Sequence, residues 1–369
     1  MSVIKLECAI VRGGTTKGVF IDRTQLPENE DQRDQVILSL FGSPDVRQIN
    51  GLGGGDPLTS KVALINRSPE PGIDIDYQSG EVGIDEASIN YSTMCGNLAS
   101  GAALFALEMG LAKKQSPFSE VKIRNLNTGK YLTAMIPMEA DDFVFKLCKD
   151  VDGVAGYGNE VNLRFNDPAG SITGSLLPTG EAVDQIQINE KVFACSIVDC
   201  GTLYAFFDAK SFALSGHESP AQLDAKEEFK ELVEQLREAV ANKVSTRQKT
   251  EYLAKQIKIA IFTFNDEKQN PVSGEVTARV INRYKTHKAY PVTGAICISA
   301  ATMISGSLLY ADDNSEINTK SMRIQHPSGV IVTETAIEKQ DEHFKIRYTM
   351  INRTANLLVK GVSRVVVAD

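Results

Sequence analysis

Two side chains in this sequence have the neighbours that proton transfer requires, Lys61 and Cys95. Lys61 stands directly before the apolar run Val62-Ala63-Leu64-Ile65 and closes the loop Asn50-Gly51-Leu52-Gly53-Gly54-Gly55-Asp56-Pro57-Leu58-Thr59-Ser60. A loop so rich in glycine is costly in backbone entropy unless close packing or a ligand requires it. At the mouth of a strand and beside apolar groups, Lys61 is expected to have a lowered pKa and to act as a base near neutrality; the plainer alternative is a solvated charge. Cys95, in Thr93-Met94-Cys95-Gly96-Asn97, opens an uncharged helical stretch. There the helix dipole and exposed N–H groups favour a thiolate and also attract a carboxylate. Burial as a structural thiol is the alternative, and it is the reading adopted for Cys148, Cys195 and Cys297.

Two turns offer donors to an anion. Arg12-Gly13-Gly14-Thr15-Thr16-Lys17-Gly18 follows a strand but is no Walker A loop, because Gly18 is followed by Val19 and Phe20. Paired glycines beside two hydroxyls still make either an anion nest or an ordinary turn. His326-Pro327-Ser328-Gly329 brings an imidazole, a hydroxyl and N–H groups together, to hold a carboxylate or simply to reverse the chain. No cysteine or histidine spacing suggests a metal or a Ser-His-Asp arrangement.

The elements that must position these groups repeat. The uncharged stretches 87–107 and 289–311 superpose with a constant offset that takes Cys95 to Thr293, Gly96 to Gly294, Ala102 to Ala300 and Ala103 to Ala301. Two such helices, half the chain apart, are what an old duplication leaves; coincidence between small-residue helices is the alternative. Both stretches are poor in Leu, Ile and Phe, which suits a helix buried in protein better than one facing lipid. Strands are predicted over 5–11, 62–66, 73–77, 120–123, 131–136, 192–198, 257–264, 276–281 and 343–351, each bounded by turn residues. One surface helix is predicted over 30–40, stopped by Gly42. Another begins at Ser219-Pro220-Ala221-Gln222 and buries Phe229, Leu232, Val233, Leu236 and Val240. The turn-dense run 152–180 is the expected crossing between domains 1–180 and 181–369.

Length and composition agree with two ordinary domains. The chain has 369 residues, 42% hydrophobic and 23% charged, enough apolar side chain for real cores. A net charge of −8 without any Lys/Arg run argues against a nucleic-acid partner and requires that an anionic substrate be held by local donors. Six scattered cysteines and the absence of a signal-type N-terminal segment predict a reduced, cytoplasmic protein with no membrane association.

Taken together, the Arg12–Gly18 loop, Thr59-Ser60-Lys61 and Cys95-Gly96-Asn97 resemble the 2-methylaconitate cis-trans isomerase (PrpF-type) family. So do Asp167-Pro168-Ala169-Gly170, Thr173-Gly174, Leu177-Pro178-Thr179-Gly180, His326-Pro327-Ser328-Gly329 and Arg353-Thr354-Ala355. The resemblance implies an α/β diaminopimelate-epimerase-like fold: two pseudo-repeated domains, each a mixed β-sheet around a central α-helix, with the active site in the cleft between them. It implies Lys61 and Cys95 as the proton-transfer pair. The relatives with racemase or epimerase activity carry a second cysteine where Thr293 stands. A hydroxyl is far too weak an acid for that role, which disfavours stereoinversion. Thr16 stands where the family usually has Ser, and Cys200-Gly201-Thr202-Leu203 lacks the expected Gly-Asn-Pro.

The implied activity is a cofactor-independent shift of an allylic proton on a small unsaturated di- or tricarboxylate such as 2-methylaconitate, with 4-oxalomesaconate and methylitaconate as alternatives. An inactive metabolite-binding protein is the reading outside enzymology. The expected substrate contacts are Gly13, Gly14, Thr15, Thr16, Ser60, Gly96, Asn97, Thr293, Gly294, Ala295, His326, Ser328 and Gly329. No metal is expected, and a homodimer is compatible with this reading.

Overall fold

The computed structural model describes residues 2–140, 142–148, 152–244, 250–265, 275–282, 285–310, 319–340 and 343–367. In chain order the first elements are β1 (Ser2–Gly13), β2 (Thr16–Asp22), α1 (Glu30–Phe41), β3 (Lys61–Arg67), β4 (Ile75–Val82), β5 (Ile89–Asn90), α2 (Gly96–Glu108), β6 (Phe118–Asn125) and β7 (Tyr131–Glu139). The short strands β8 (Asp142–Phe143) and β9 (Phe145–Leu147) lead to β10 (Tyr157–Asn166). Then come β11 (Asp184–Ile188), β12 (Lys191–Asp199), β13 (Leu203–Asp208), α3 (Pro220–Asp224), α4 (Glu227–Lys243), α5 (Thr250–Gln256), β14 (Lys258–Phe264) and β15 (Val276–Ile281). The chain finishes with α6 (Val292–Ala301), β16 (Thr319–His326), β17 (Gly329–Gln340) and the long β18 (His343–Val367).

Two compact units result: Met1–Arg164 with Asn352–Asp369, and Phe165–Ile351. The division precedes the expected boundary near Gly180, and the C-terminal segment returns to the first unit. The part of the turn-dense run from 165 to 180 belongs to the second unit for a visible reason. Asp199 Oδ2 accepts hydrogen bonds from the N–H groups of Ile172 and Thr173, and the Gly170 N–H donates to the Asp199 carbonyl.

In the first unit the strand row runs β18-β1-β2-β3-β4-β6-β7, and β10 pairs with both β7 and β18. The β2·β3 and β4·β6 pairs are parallel and the remaining described neighbours in this row antiparallel. A parallel pair needs a crossover; α1 supplies the first and α2 the second. The second unit reads β11-β12-β13-β14-β15-β16-β17-β18, with β13·β14 and β15·β16 parallel. Its crossovers are α3 to α5 and then α6. One order of directions and one pair of crossovers therefore occur twice, which is the fold expected from the superposable helices.

Each crossover helix has its own reason to form. Asn29 caps α1 by accepting from the Gln32 N–H, and Gly42 ends it in the left-handed conformation, while Val36, Ile37, Leu40 and Phe41 pack on the sheet. The predicted helix from Ser219 is two helices. Its Ser219/Gln222 capping box and Pro220 are as expected, but Ala225-Lys226 interrupts it, and the apolar stripe belongs to α4. Helices α2 and α6 are buried on every side, α2 up to Leu107 and α6 throughout, which is why small residues dominate them. Among the described residues no helix is long and apolar enough to cross a membrane.

Side-chain parity decides which groups of the first sheet face which helix. Val19, Ile21, Val62, Leu64 and Val82 join the cluster under α1. Successive strand residues point to opposite faces, so Phe20, Lys61, Ala63, Tyr77, Ser79 and Glu81 face the α2 side. The Phe20 ring against Phe105 of α2, 5.9 Å between centroids, agrees.

Candidate active site

Lys61 is the first residue of β3 and lies directly opposite Glu81 on the antiparallel β4. Its side chain is buried, and Nζ reaches Glu81 Oε1 at 2.5 Å. Burial alone would pull the lysine pKa down, as expected from its apolar neighbours. The negative charges of Glu81 and Cys95 outweigh that and leave the value raised. The expectation of a lysine neutral near pH 7 is thus corrected, because the sequence could not show that register sets a carboxylate across from it.

Cys95 is the N-cap of α2 in extended conformation, and strand β4 fixes its backbone. The Cys95 N–H donates to Ser79 Oγ at 2.8 Å, and the Tyr77 hydroxyl donates to the Cys95 carbonyl at 2.8 Å. Tyr77, Ser79 and Glu81 alternate along one strand, so a single face of β4 places both the thiol and the ammonium. The Ala99 N–H is the one that reaches back to the Cys95 carbonyl. The N–H groups of Gly96, Asn97 and Leu98 accordingly lie ahead of the first helical hydrogen bond and point out of the helix start.

The Gly13–Thr16 turn closes on this helix start. A Cβ on Gly13 would lie 2.2 Å from the Asn97 carbonyl oxygen, and one on Gly14, at φ +50, would lie 2.1 Å from Asn97 Oδ1. Only glycines permit that approach. Thr15 Oγ1 accepts from Asn97 Nδ2 at 3.1 Å, whereas the Gly14 N–H is committed to the Thr354 carbonyl. Thr16 is buried as the first residue of β2. Arg12 braces the turn through the Gly14 and Thr354 carbonyls and Thr354 Oγ1.

Ser60 is used otherwise than expected. Its hydroxyl donates to the Val82 carbonyl and accepts from Gln48 Nε2 at 2.7 Å. Gln48 also accepts from the Gly55 N–H, so the glycine-rich loop is wound on a buried glutamine, and close packing accounts for its composition.

The chain is matched from residue 3 to 366 by the family model described as PrpF protein. It belongs to that family. At 32% identity over 97% of this chain and 96% of the relative, it is similar to the 3-methylitaconate isomerase of Eubacterium barkeri. It is 32% identical to the (4E)-oxalomesaconate Delta-isomerase of Novosphingobium sp. (strain KA1), covering 96% of each. A crystal structure of methylitaconate-delta-isomerase superposes with a TM-score of 0.77 at 31% identity, over 99% of this chain and 96% of that one. A hydroxyproline epimerase from Agrobacterium vitis shares the fold, with a TM-score of 0.59 at 12% identity over 99% and 93% of the two chains. This PrpF chain is an isomerase with an epimerase-type fold.

The other expected contacts of the PrpF chain lie in its second unit. Helix α6 begins at Val292 with Pro291 as N-cap, so Thr293 is the second residue of its helix, whereas Cys95 caps α2. The Ala295 N–H is spent on the Pro291 carbonyl, which removes it as an anion donor; Gly294 packs against the Tyr204 hydroxyl. The Tyr204 and Tyr290 hydroxyls are buried and make no hydrogen bond of full geometry among the described residues, although Thr293 lies close enough to act on Tyr204, and burial raises both pKa values. His326 and Gly329 pair at the β16–β17 turn. There His326 Nδ1 accepts from the Ser328 N–H and the Ser328 hydroxyl donates to the Lys288 carbonyl, so these Ser328 groups are already engaged. Cys148, Cys195 and Cys297 are buried; burial pushes the Cys195 thiol up to about 12 and raises Cys297, whose thiol donates to the Val198 carbonyl.

Sequence reasoning missed Glu81, Tyr77 and Ser79, and it gave Arg353 no role. Their alternation in Tyr77-Gln78-Ser79-Gly80-Glu81 is visible in the sequence, but only the pairing with Lys61 gives it meaning. Arg353 is buried, its Nε has no hydrogen-bond partner among the described residues and its Nη1 donates to the Asn352 carbonyl.

Proposed function

We propose that this chain moves an allylic proton on a small unsaturated di- or tricarboxylate, with Cys95 and Lys61 as the transferring pair and no organic cofactor. The observation that carries the reading is the joint placement of the two groups by β4: Glu81 on the amine, Tyr77 and Ser79 on the backbone of the thiol-bearing residue. With Glu81 keeping Lys61 an ammonium, Cys95 is the group left to remove the proton. The C–H electron pair then passes into a dienolate whose charge ends on a carboxylate oxygen. Lys61 gives its proton to the other end of the allylic system for a double-bond shift, or to the original carbon after rotation in the dienolate for a cis-trans change, and proton transfer from sulfur to nitrogen restores the starting state. N–H groups at the α2 start that lie ahead of the first helical hydrogen bond stabilise the dienolate oxygen without a reorganisation cost.

The substrate class comes from the relatives, whose names specify methylitaconate, oxalomesaconate and, for the 28% identical isomerase of Cupriavidus necator, 2-methyl-aconitate. A 2-methylaconitate cis-trans isomerisation is the leading assignment. Tautomerisation of 4-oxalomesaconate or a double-bond shift in methylitaconate would use the same two groups. Thr293, a neutral hydroxyl inside α6, favours these over stereoinversion at a saturated carbon. Six cysteines free of disulfides suit a cytoplasmic setting. An ultraviolet assay over a panel of unsaturated tricarboxylates tests the proposal: one acid turned over by the native chain and not by Lys61→Ala supports it, and a fully active Lys61→Ala chain overturns the assignment.

A further inference from the structure

Of the four buried arginines among the described residues, Arg33 lies within ion-pair distance of Glu30 and Asp34, and the other three fall into two kinds. Arg237 places its guanidinium on the Ile257 and Ile281 carbonyls and the Glu234 carboxylate, and Arg279 on the Glu218 and Ala278 carbonyls. Such arginines are structural, because their donors are consumed. Arg353 is as deeply buried but makes a single described bond, to the carbonyl of the preceding residue, and its Nε is unpaired.

Arg353 stands beside the helix start already described. A Cβ on Gly14 would lie 3.3 Å from Arg353 Cδ and 2.1 Å from Asn97 Oδ1, so this glycine is flanked by both side chains. Asn97 is itself buried, with Oδ1 unpaired among the described residues. Its amide can turn over and keep its bond to Thr15, since a hydroxyl both donates and accepts, and would then present an N–H instead. A cation, an amide with unspent capacity and the N–H groups of the first α2 turn thus share one buried region.

We infer that Arg353, Asn97 and the start of α2 form an anion subsite that receives one carboxylate of the substrate, an inference that rests on the function proposed above. A guanidinium presents a planar fork matched to a carboxylate, and a buried one without a counter-ion among the described residues is poised for a ligand that brings the charge. Glu81 does not meet this need, because it is held by Lys61. Burial alone acts on Arg353, lowering its pKa to about 9, so the group is still charged at neutral pH. The result is a division of labour: Arg353 holds one carboxylate, while Lys61 and Cys95 act at the carbon skeleton.

The test compares Arg353→Gln and Arg353→Lys with the native chain, using KM and kcat on the acid it turns over and thermal stabilisation by tricarballylate, a saturated tricarboxylate that cannot isomerise. Arg353→Gln is expected to raise KM at least about tenfold, with a smaller change in kcat, and to lose the tricarballylate response. Arg353→Lys should retain part of both. A folded Arg353→Gln chain with native KM and native stabilisation overturns the inference. Should neither variant fold, a crystal structure of the native chain with tricarballylate decides: a carboxylate on the Arg353 guanidinium supports the subsite, and carboxylates bound only elsewhere overturn it. Activity surviving in Lys61→Ala while tricarballylate binding still depends on Arg353 would remove the proposed catalytic pair and leave the subsite standing.

Discussion

At the start of α2 stand a thiol, an ammonium and a carboxylate; at the start of α6 stand a threonine and two phenols raised in pKa by burial. The strands around the two helices follow the same order of directions, and both helices are the second crossover of their unit. Chemistry therefore differs where architecture does not. The difference lies in a few positions of one strand: Tyr77, Ser79 and Glu81 on β4 against Ala278 and Val280 on β15, whose pairings with β14 and β16 mirror those of β4 with β3 and β6. A duplicated sheet can carry ionisable groups in one copy and neutral ones in the other without disturbing the fold.

Substitutions at corresponding places sharpen or break this contrast. The largest effect is expected at the first residue of β3 and β14. Lys61→Ala should lower kcat by about 10³ to 10⁴, with an unchanged circular dichroism spectrum, whereas Lys258→Ala should stay near native turnover. Similar losses at both would erase the distinction. Next comes the pair of helix cysteines. Cys95→Ser should cost about 10² to 10³ in kcat, and Cys297→Ala should cost about 1 kcal/mol in denaturant unfolding with kcat little changed.

Glu81→Gln has a smaller and more diagnostic effect. Removing the carboxylate leaves burial as the dominant influence, so the Lys61 pKa falls and the alkaline limb of the rate profile moves to lower pH. The stability sign is set by the raised folded-state value. The ion pair contributes fully below the ordinary lysine value of 10.5 and is lost as pH rises through the higher folded value. Melting temperatures of Glu81→Gln and native chains should accordingly differ at pH 7 and converge at strongly alkaline pH. The smallest effect is expected for Tyr77→Phe, which deletes the hydroxyl on the Cys95 carbonyl and should cost about 1 kcal/mol of stability.

Much of the fold was legible because it rests on periodic patterns. The superposable helices and the Asn29-to-Gly42 helix appear where small-residue spacing and caps place them, and the strand at 276–281 where a β-rich run bounded by turn residues does. Less legible were β2 and β13, buried along nearly their whole length and so without alternation, and β18, which runs on to Val367 beyond the expected 351. At the site, Lys61 and Cys95 could be singled out by their immediate neighbours in the chain, an apolar strand for one and an uncharged helix for the other. Glu81 could not, because its meaning depends on facing Lys61 across two strands, and the charge state of the lysine depends on Glu81. Ser60 and Ala295 show the converse: local motif chemistry suggested free donors, and tertiary contacts had already used them.

The central claim, that Cys95 removes the proton and Lys61 returns one, is tested most directly by deuterium exchange in heavy water followed by NMR on the substrate. Lys61→Ala should still exchange the allylic hydrogen of the bound acid while forming no product, and Cys95→Ser should do neither. Exchange at the native rate in Cys95→Ser would contradict the account.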